Sequence, residues 1–127
     1  MVFTFNNKSS RDFNIKIKKS NHLSIPWRKL EFIEVQGRTD NLIVDEGARE
    51  MLDIEIEAYM DCRNEDTYSY ALRLDKWLNN TSGYSNLIFD DGVELKAIFV
   101  GQIDFNSITK NFEEILLQFK AYRESDL

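Results

Sequence analysis

The sequence predicts a mainly β domain of the α+β class: an antiparallel β-sandwich or partly closed barrel of about seven strands, with one α-helix packed against it. Three observations carry this. Apolar and polar residues alternate with a period of two in several separate runs, as in strands with one buried face. A single segment, residues 66–80, switches to helical spacing. The strand-like runs follow one another through short turns, without the strand–helix–strand alternation that builds a parallel sheet.

Composition agrees. The 127 residues make one domain, and a chain of this size buries roughly two-thirds of its unfolded surface. With 43% hydrophobic and 13% aromatic residues it can fill a core and stands apart from disordered chains. No run approaches the ~20 apolar residues that span a bilayer, so a membrane role is excluded. The opening Met1-Val2-Phe3-Thr4-Phe5-Asn6-Asn7 has polar residues where a secretory signal has its apolar stretch. A single cysteine, Cys62, excludes an intrachain disulfide and fits folding in a reducing cytosol.

The net charge of −6 is unevenly spread. Residues 1–38 hold eight Lys/Arg against three acids, +5, and residues 39–127 hold eight against nineteen, −11. Two such halves either neutralise each other within the fold or meet head to tail between copies, since opposite fields steer association. An acidic total speaks against ordinary binding to a nucleic-acid backbone, which needs clustered Lys/Arg.

In chain order, Phe3 and Phe5 alternate with Val2 and Thr4, and Asn6 to Ser10 reads as a turn. Residues 12–18 set Phe13, Ile15 and Ile17 against Asn14, Lys16 and Lys18, a strand with a basic outer face. Leu23-Ser24-Ile25-Pro26 is extended, because the residue before proline is driven from the helical region. Residues 29–35 are strand-like with apolar residues on both faces, Leu30 and Phe32 on one and Ile33 and Val35 on the other, so the strand is expected to be covered on both sides. Gly37 marks a bend, Thr39-Asp40-Asn41 a turn, Leu42-Ile43-Val44 a short apolar strand and Asp45-Glu46-Gly47 a further turn.

Leu52, Ile54, Ile56, Ala58 and Met60 against Asp53, Glu55, Glu57 and Tyr59 give the clearest strand, buried on one face and acidic on the other. The helix over 66–80 turns Tyr70, Ala71, Leu74, Trp77 and Leu78 inward, with Asn64 or Asp66 as cap and 79–83 as stop. Asp90-Asp91-Gly92 joins Leu87-Ile88-Phe89 to a strand over 93–105 as a hairpin. Residues 106–111 turn the chain, and 112–122 form the last strand with Ile115, Leu117, Phe119 and Ala121 inward.

Catalytic chemistry is thin. His22 is the only histidine, in a polar loop, and reads as a surface residue without partners for acid–base or metal work. Cys62 lacks a nearby histidine and reads as a buried small residue. The five glycines are isolated, so no phosphate loop exists. Asp53, Glu55 and Glu57, with Asp61, Glu65 and Asp66 soon after, come closest to a cation or acid–base site. They are also what any solvated strand face shows, or the lining of a conduit through which nucleic acid slides without sticking. No enzyme, metal or cofactor is expected. Trp77 reads as core. Trp27, beside Pro26 and followed by Arg28, reads equally as core or as interface, and Gly37-Arg38 as an interface candidate, Trp and Arg being favoured anchors between proteins. A rival reading is a carbohydrate- or small-molecule-binding sandwich using Trp27, Tyr68, Tyr70 and Tyr84 for stacking.

The order of these pieces resembles a known family. It runs from Phe3-Thr4-Phe5-Asn6 through Ile25-Pro26-Trp27-Arg28 to Glu34-Val35-Gln36-Gly37-Arg38, then through a long alternating strand to a helix ending Asp75-Lys76-Trp77-Leu78. A Leu87-to-Gly92 hairpin and a closing Leu117-to-Tyr122 strand complete it. Across the whole chain this resembles the N-terminal domain of siphophage distal tail proteins. The resemblance implies a tail-tube-like sandwich with a helix, assembled as a hexameric ring. That ring is the hub between the tail tube protein and the baseplate, fibre or tail-associated lysin proteins in the virion tail, with DNA passing its channel. In such a ring, Trp27, Arg28, Gly37 and Arg38 are the residues expected at the neighbour contact, and the acidic face of Asp53, Glu55 and Glu57 is expected to look toward the channel. Two departures stand out: Thr39-Asp40-Asn41 where members often carry an acid and a glycine, and a sequence that stops at Leu127 where typical members continue into a second, galectin-like domain, so that it is either a short member or a trimmed piece of a longer one. Residues 1–127 are expected to be a single domain.

Overall fold

The computed structural model describes residues 1–63, 66–109 and 112–126. In chain order its strands are β1 (Phe3–Phe5), β2 (Lys8–Ser9), β3 (Ile15–Ser20), β4 (Arg28–Ile33), β5 (Leu42–Arg49) and β6 (Leu52–Asp61), followed after the helix by β7 (Ser85–Phe89), β8 (Glu94–Val100), β9 (Asn106–Thr109) and β10 (Phe112–Tyr122). The helix α1 (Thr67–Leu78) lies between β6 and β7. Alternation decides the core. β6 buries Leu52, Ile54, Ile56, Ala58 and Met60, and β10 buries Ile115, Leu117, Phe119 and Ala121. The two strands pair antiparallel from Phe112↔Asp61 to Ala121↔Leu52, so both sets face one interior.

All strands but two join one antiparallel sheet, β2-β1-β7-β8-β10-β6-β3, with β9 hydrogen-bonded to β10. The sheet folds over on itself without closing into a barrel. β7 and β8 separate β1 from β10, yet the Phe5 and Phe119 rings lie 5.0 Å apart. α1 fills the remaining side through Tyr70, Leu74, Trp77 and Leu78. Trp77 is sandwiched between Phe13, at 4.2 Å and nearly parallel, and Phe3, at 5.6 Å, and its indole N–H donates to the Phe5 carbonyl at 2.8 Å. The expected sandwich with one packed helix is the architecture found.

Local signals explain most boundaries. Asn6 and Asn7 both have positive φ, 50° and 66°, the two-residue turn that suits the right-handed twist of a hairpin between β1 and β2. Asp66 caps α1, its carboxylate accepting from the Ser69 N–H at 2.8 Å. The other candidate cap, Asn64, lies outside the described residues, as does Glu65. In the β7–β8 hairpin the Gly92 φ of +95° follows Asp90-Asp91 as that turn requires.

Five sequence readings need correction. Among the described residues there are ten strands, because short pairings turn residues read as loops into β2 and β9; Lys110 and Asn111 of the supposed 106–111 turn lie outside them. Phe13 is buried from a 3-10 turn, Ser10–Phe13, rather than from a strand, and β3 starts two residues later, at Ile15. β8 stops at Val100 rather than near 105. Gly101 takes φ +86°, a backbone conformation that favours glycine, and the chain turns away there. Asp45-Glu46-Gly47 is a bulge inside β5, with Gly47 at φ +73°, rather than a turn. The fifth concerns β4 and β5, which stand apart as a two-stranded ribbon.

Candidate assembly interface

The ribbon of β4 and β5 is an arm. Its strands hydrogen-bond to each other, Glu31↔Val44, Phe32↔Ile43 and Ile33↔Leu42, and neither joins the body sheet. Pairing places Leu30, Phe32 and Ile43 on one face and Ile33, Leu42 and Val44 on the other. Phe32 is 59% exposed and Ile43 58%; Leu42, Ile33 and Val44 are also open to solvent. The sequence expectation that both faces are covered is thus overturned within the chain: both are apolar and both are bare. Two-stranded ribbons are at best marginal in water alone, so this one is held from within and at its root.

The internal braces use the residues suspected of making an interface. The Arg28 guanidinium donates to Asp45 at 2.6 Å, and the Gly47 N–H donates to the same carboxylate at 2.9 Å. The Gly47 N–H first, then Arg28, holds Asp45 below the usual carboxylate range. At the tip the Arg38 N–H donates to the Val35 carbonyl at 3.1 Å, and Gly37 at φ +82° occupies the third position of that turn. Arg38 then forks onto Asp40 at 3.1 and 2.7 Å, so Thr39-Asp40-Asn41 serves to seat the arginine. At the root Arg49 donates to the Pro26 carbonyl at 3.1 Å, and the Glu50 N–H to the Trp27 carbonyl at 2.7 Å. That pairing holds Trp27 in place with its side chain 83% exposed. Of the four candidates, Trp27 is the bare anchor, Arg28 an internal brace, and Gly37 and Arg38 shape the tip.

The folded chain shares its architecture with a solved phage protein. The Dit protein of phage SPP1, described as a paradigm of the hub adsorption apparatus of phages infecting Gram-positive bacteria, superposes with a TM-score of 0.75 at 12% identity, over 94% of this chain and 48% of that one. The likeness is one of fold. The chain spans about half the length of that protein. No family model and no curated protein matches the sequence.

Asp53, Glu55 and Glu57 do share the outer face of β6, as the alternation required. Register, however, sets them among cations: Lys120 of β10 pairs with Asp53, and Lys19 of β3 stands opposite Glu57. Next to them Lys18 lies 5.7 Å from the Tyr59 ring centre and 3.5 Å from Glu114, and these two neighbours, Tyr59 first, raise its pKa. The acids form a ridge with basic flanks. No group of three His, Cys, Asp or Glu among the described residues is arranged to hold a metal.

His22 corrects another expectation: it is buried. Its ring lies flat on Phe89 at 3.8 Å, with Nε2 2.7 Å from Asp91 and Nδ1 2.8 Å from the Ser20 hydroxyl. A serine, a histidine and an aspartate in one chain of hydrogen bonds look like a nucleophile relay. Here they form a clasp instead, fastening the link before the arm to the β7–β8 turn with the imidazole stacked flat and shut from solvent. Its signal in the sequence was weak, because Ser20, His22 and Asp91 meet only through the folded-over sheet. Cys62 is buried as expected, and burial pushes its thiol up, away from reactivity. The stacking set of the rival reading is broken, since Tyr70 is buried with its hydroxyl accepting from Asn14 at 2.7 Å.

Proposed function

We propose that the chain is a structural subunit of a phage tail tip that assembles through its arm into a ring. The observation that carries this is the arm itself: a ribbon apolar on both faces, bare on both, and anchored rigidly enough to be presented. Exposed apolar surface of this extent marks an interaction site, and a hairpin reaching out of one domain is suited to lie on the next copy. The shared architecture with the SPP1 hub protein supports the place of action. On this reading the ring is a hexamer, seated between the tail tube and the baseplate or fibre proteins, and DNA passes through it. The ridge of Asp53, Glu55 and Glu57 lines the passage, its repulsion of phosphates tempered by the flanking lysines. Trp27 and the arm tip around Arg38 contact the neighbouring copy.

Native mass spectrometry and sedimentation of the purified chain over rising concentration test this. A six-copy species with an annular outline in electron micrographs is expected. A strict monomer up to the solubility limit sinks the ring.

A further inference from the structure

Resting on the ring reading, the geometry points to the surface that receives the arm: we propose that the Ile33/Leu42/Val44 face of one copy docks in the cleft beside the start of β3 on the next copy. This cleft, of about 610 Å³, is lined by Ile15, Ile17, Tyr59 and Phe112, with Arg11 and Lys16 at its rim.

Position is the first argument. The cleft reaches Tyr59 and Asp61 at the end of β6, whereas the arm springs from just before Leu52 at its beginning. Seven to nine residue steps of strand separate them, about 23–30 Å at the usual rise. Because the arm is exposed along nearly its whole length, it does not fold back across its own body to that cleft. Donor and receiver at opposite ends of one strand make a head-to-tail contact, the kind that closes into rings.

Charge and shape are the second. On the docking face Glu31 stands directly opposite Val44, and among the described residues it makes no ion pair. The cleft offers the matching arrangement: apolar Ile17 and Phe112 share its lining with exposed Arg11 and Lys16 and with Asp61, whose charge is already met by Arg63 at 2.8 Å, so the surplus is basic. The other arm face already spends its charges on the Arg28–Asp45 pair. Complementary charge around an apolar contact fixes orientation and suppresses wrong partners.

Two measurements on the full chain test the assignment. Arg11→Glu with Lys16→Glu alters only exposed side chains; it should raise the concentration for half-assembly at least tenfold, and adding Glu31→Lys should recover most of the loss. A chain carrying Val44→Cys and Lys16→Cys should form chain-to-chain disulfides on mild oxidation, which neither single variant forms, Cys62 being buried. If the natural chain assembles while the charge reversal leaves its midpoint unchanged and the cysteine pair does not cross-link, the arm docks elsewhere and the inference is overturned with the ring intact. If the natural chain never assembles and the cysteine pair stays unlinked, the ring reading and the receiving cleft fall together.

Discussion

Trp77 and His22 show how single side chains hold this fold across large sequence distances. Trp77 joins α1 to β1 by its stack with Phe3 and its hydrogen bond to the Phe5 carbonyl, and to the first 3-10 turn by its stack with Phe13. Trp77→Ala is expected to destabilise by about 3–5 kcal/mol, and Trp77→Phe by about 1–3 kcal/mol because the Phe5 carbonyl loses its donor; midpoints of chemical unfolding measure both. At the clasp, the His22 hydrogen bond and then the Val93 N–H lower the pKa of Asp91 from its ordinary 3.8. A carboxylate depressed in the folded state contributes stability that is present above its unfolded pKa and lost as pH falls through the folded one. Asp91→Asn should therefore flatten the stability profile below about pH 4, as unfolding at a series of acidic pH values would reveal.

At the scale of elements, the arm is separable from the body. Its strands pair only with each other, and the Glu50 N–H meets the Trp27 carbonyl at 2.7 Å across its root. Replacing residues 28–49 by an Asn-Gly turn should leave the far-ultraviolet spectrum of the body recognisable and its unfolding free energy within about 1 kcal/mol, while abolishing self-association; loss of cooperative unfolding would show instead that the arm is part of the core. The same separation marks what the sequence could convey. Period-two runs gave β6 and β10 their inward residues, and the switch to helical spacing gave α1, because one face of each meets a core within the chain. Apolar residues on both faces of 29–35 look the same whether the cover is this chain or another, so the pattern alone does not convey that this chain leaves both faces bare. The clasp was hidden for a related reason: it depends on how far the sheet folds over, and nothing local encodes that. Trp27 and the Gly37-Arg38 tip could be picked out by residue type, but the internal duties of Arg28 with Asp45 and of Arg38 with Asp40 needed coordinates.

For the whole molecule, the proposed ring would form in a way that the strength of one arm contact decides. Fully burying a Val, Leu or Ile side chain contributes about 1.5–3 kcal/mol, but on the docking face Ile33, Leu42 and Val44 already hide more than half their surface. Covering that face then contributes about 2–4 kcal/mol, no more than the low end of the 4–15 kcal/mol that association itself costs. A single contact does not offset that cost, so open pairs should not accumulate. Closing a ring adds one further contact without bringing in another chain, and that last, intramolecular contact is favoured by effective concentration. Assembly should therefore pass from monomer to closed ring over a narrow concentration range, with dimers and trimers scarce in native mass spectra. Because the Glu31 carboxylate and the Arg11 and Lys16 rim are exposed, about tenfold more salt should shorten the reach of their attraction roughly threefold, slow ring formation and move the threshold upward without dissolving the apolar contact. A smooth ladder of intermediates, or a threshold indifferent to salt, would show that the arm contact is strong alone or is not steered by charge.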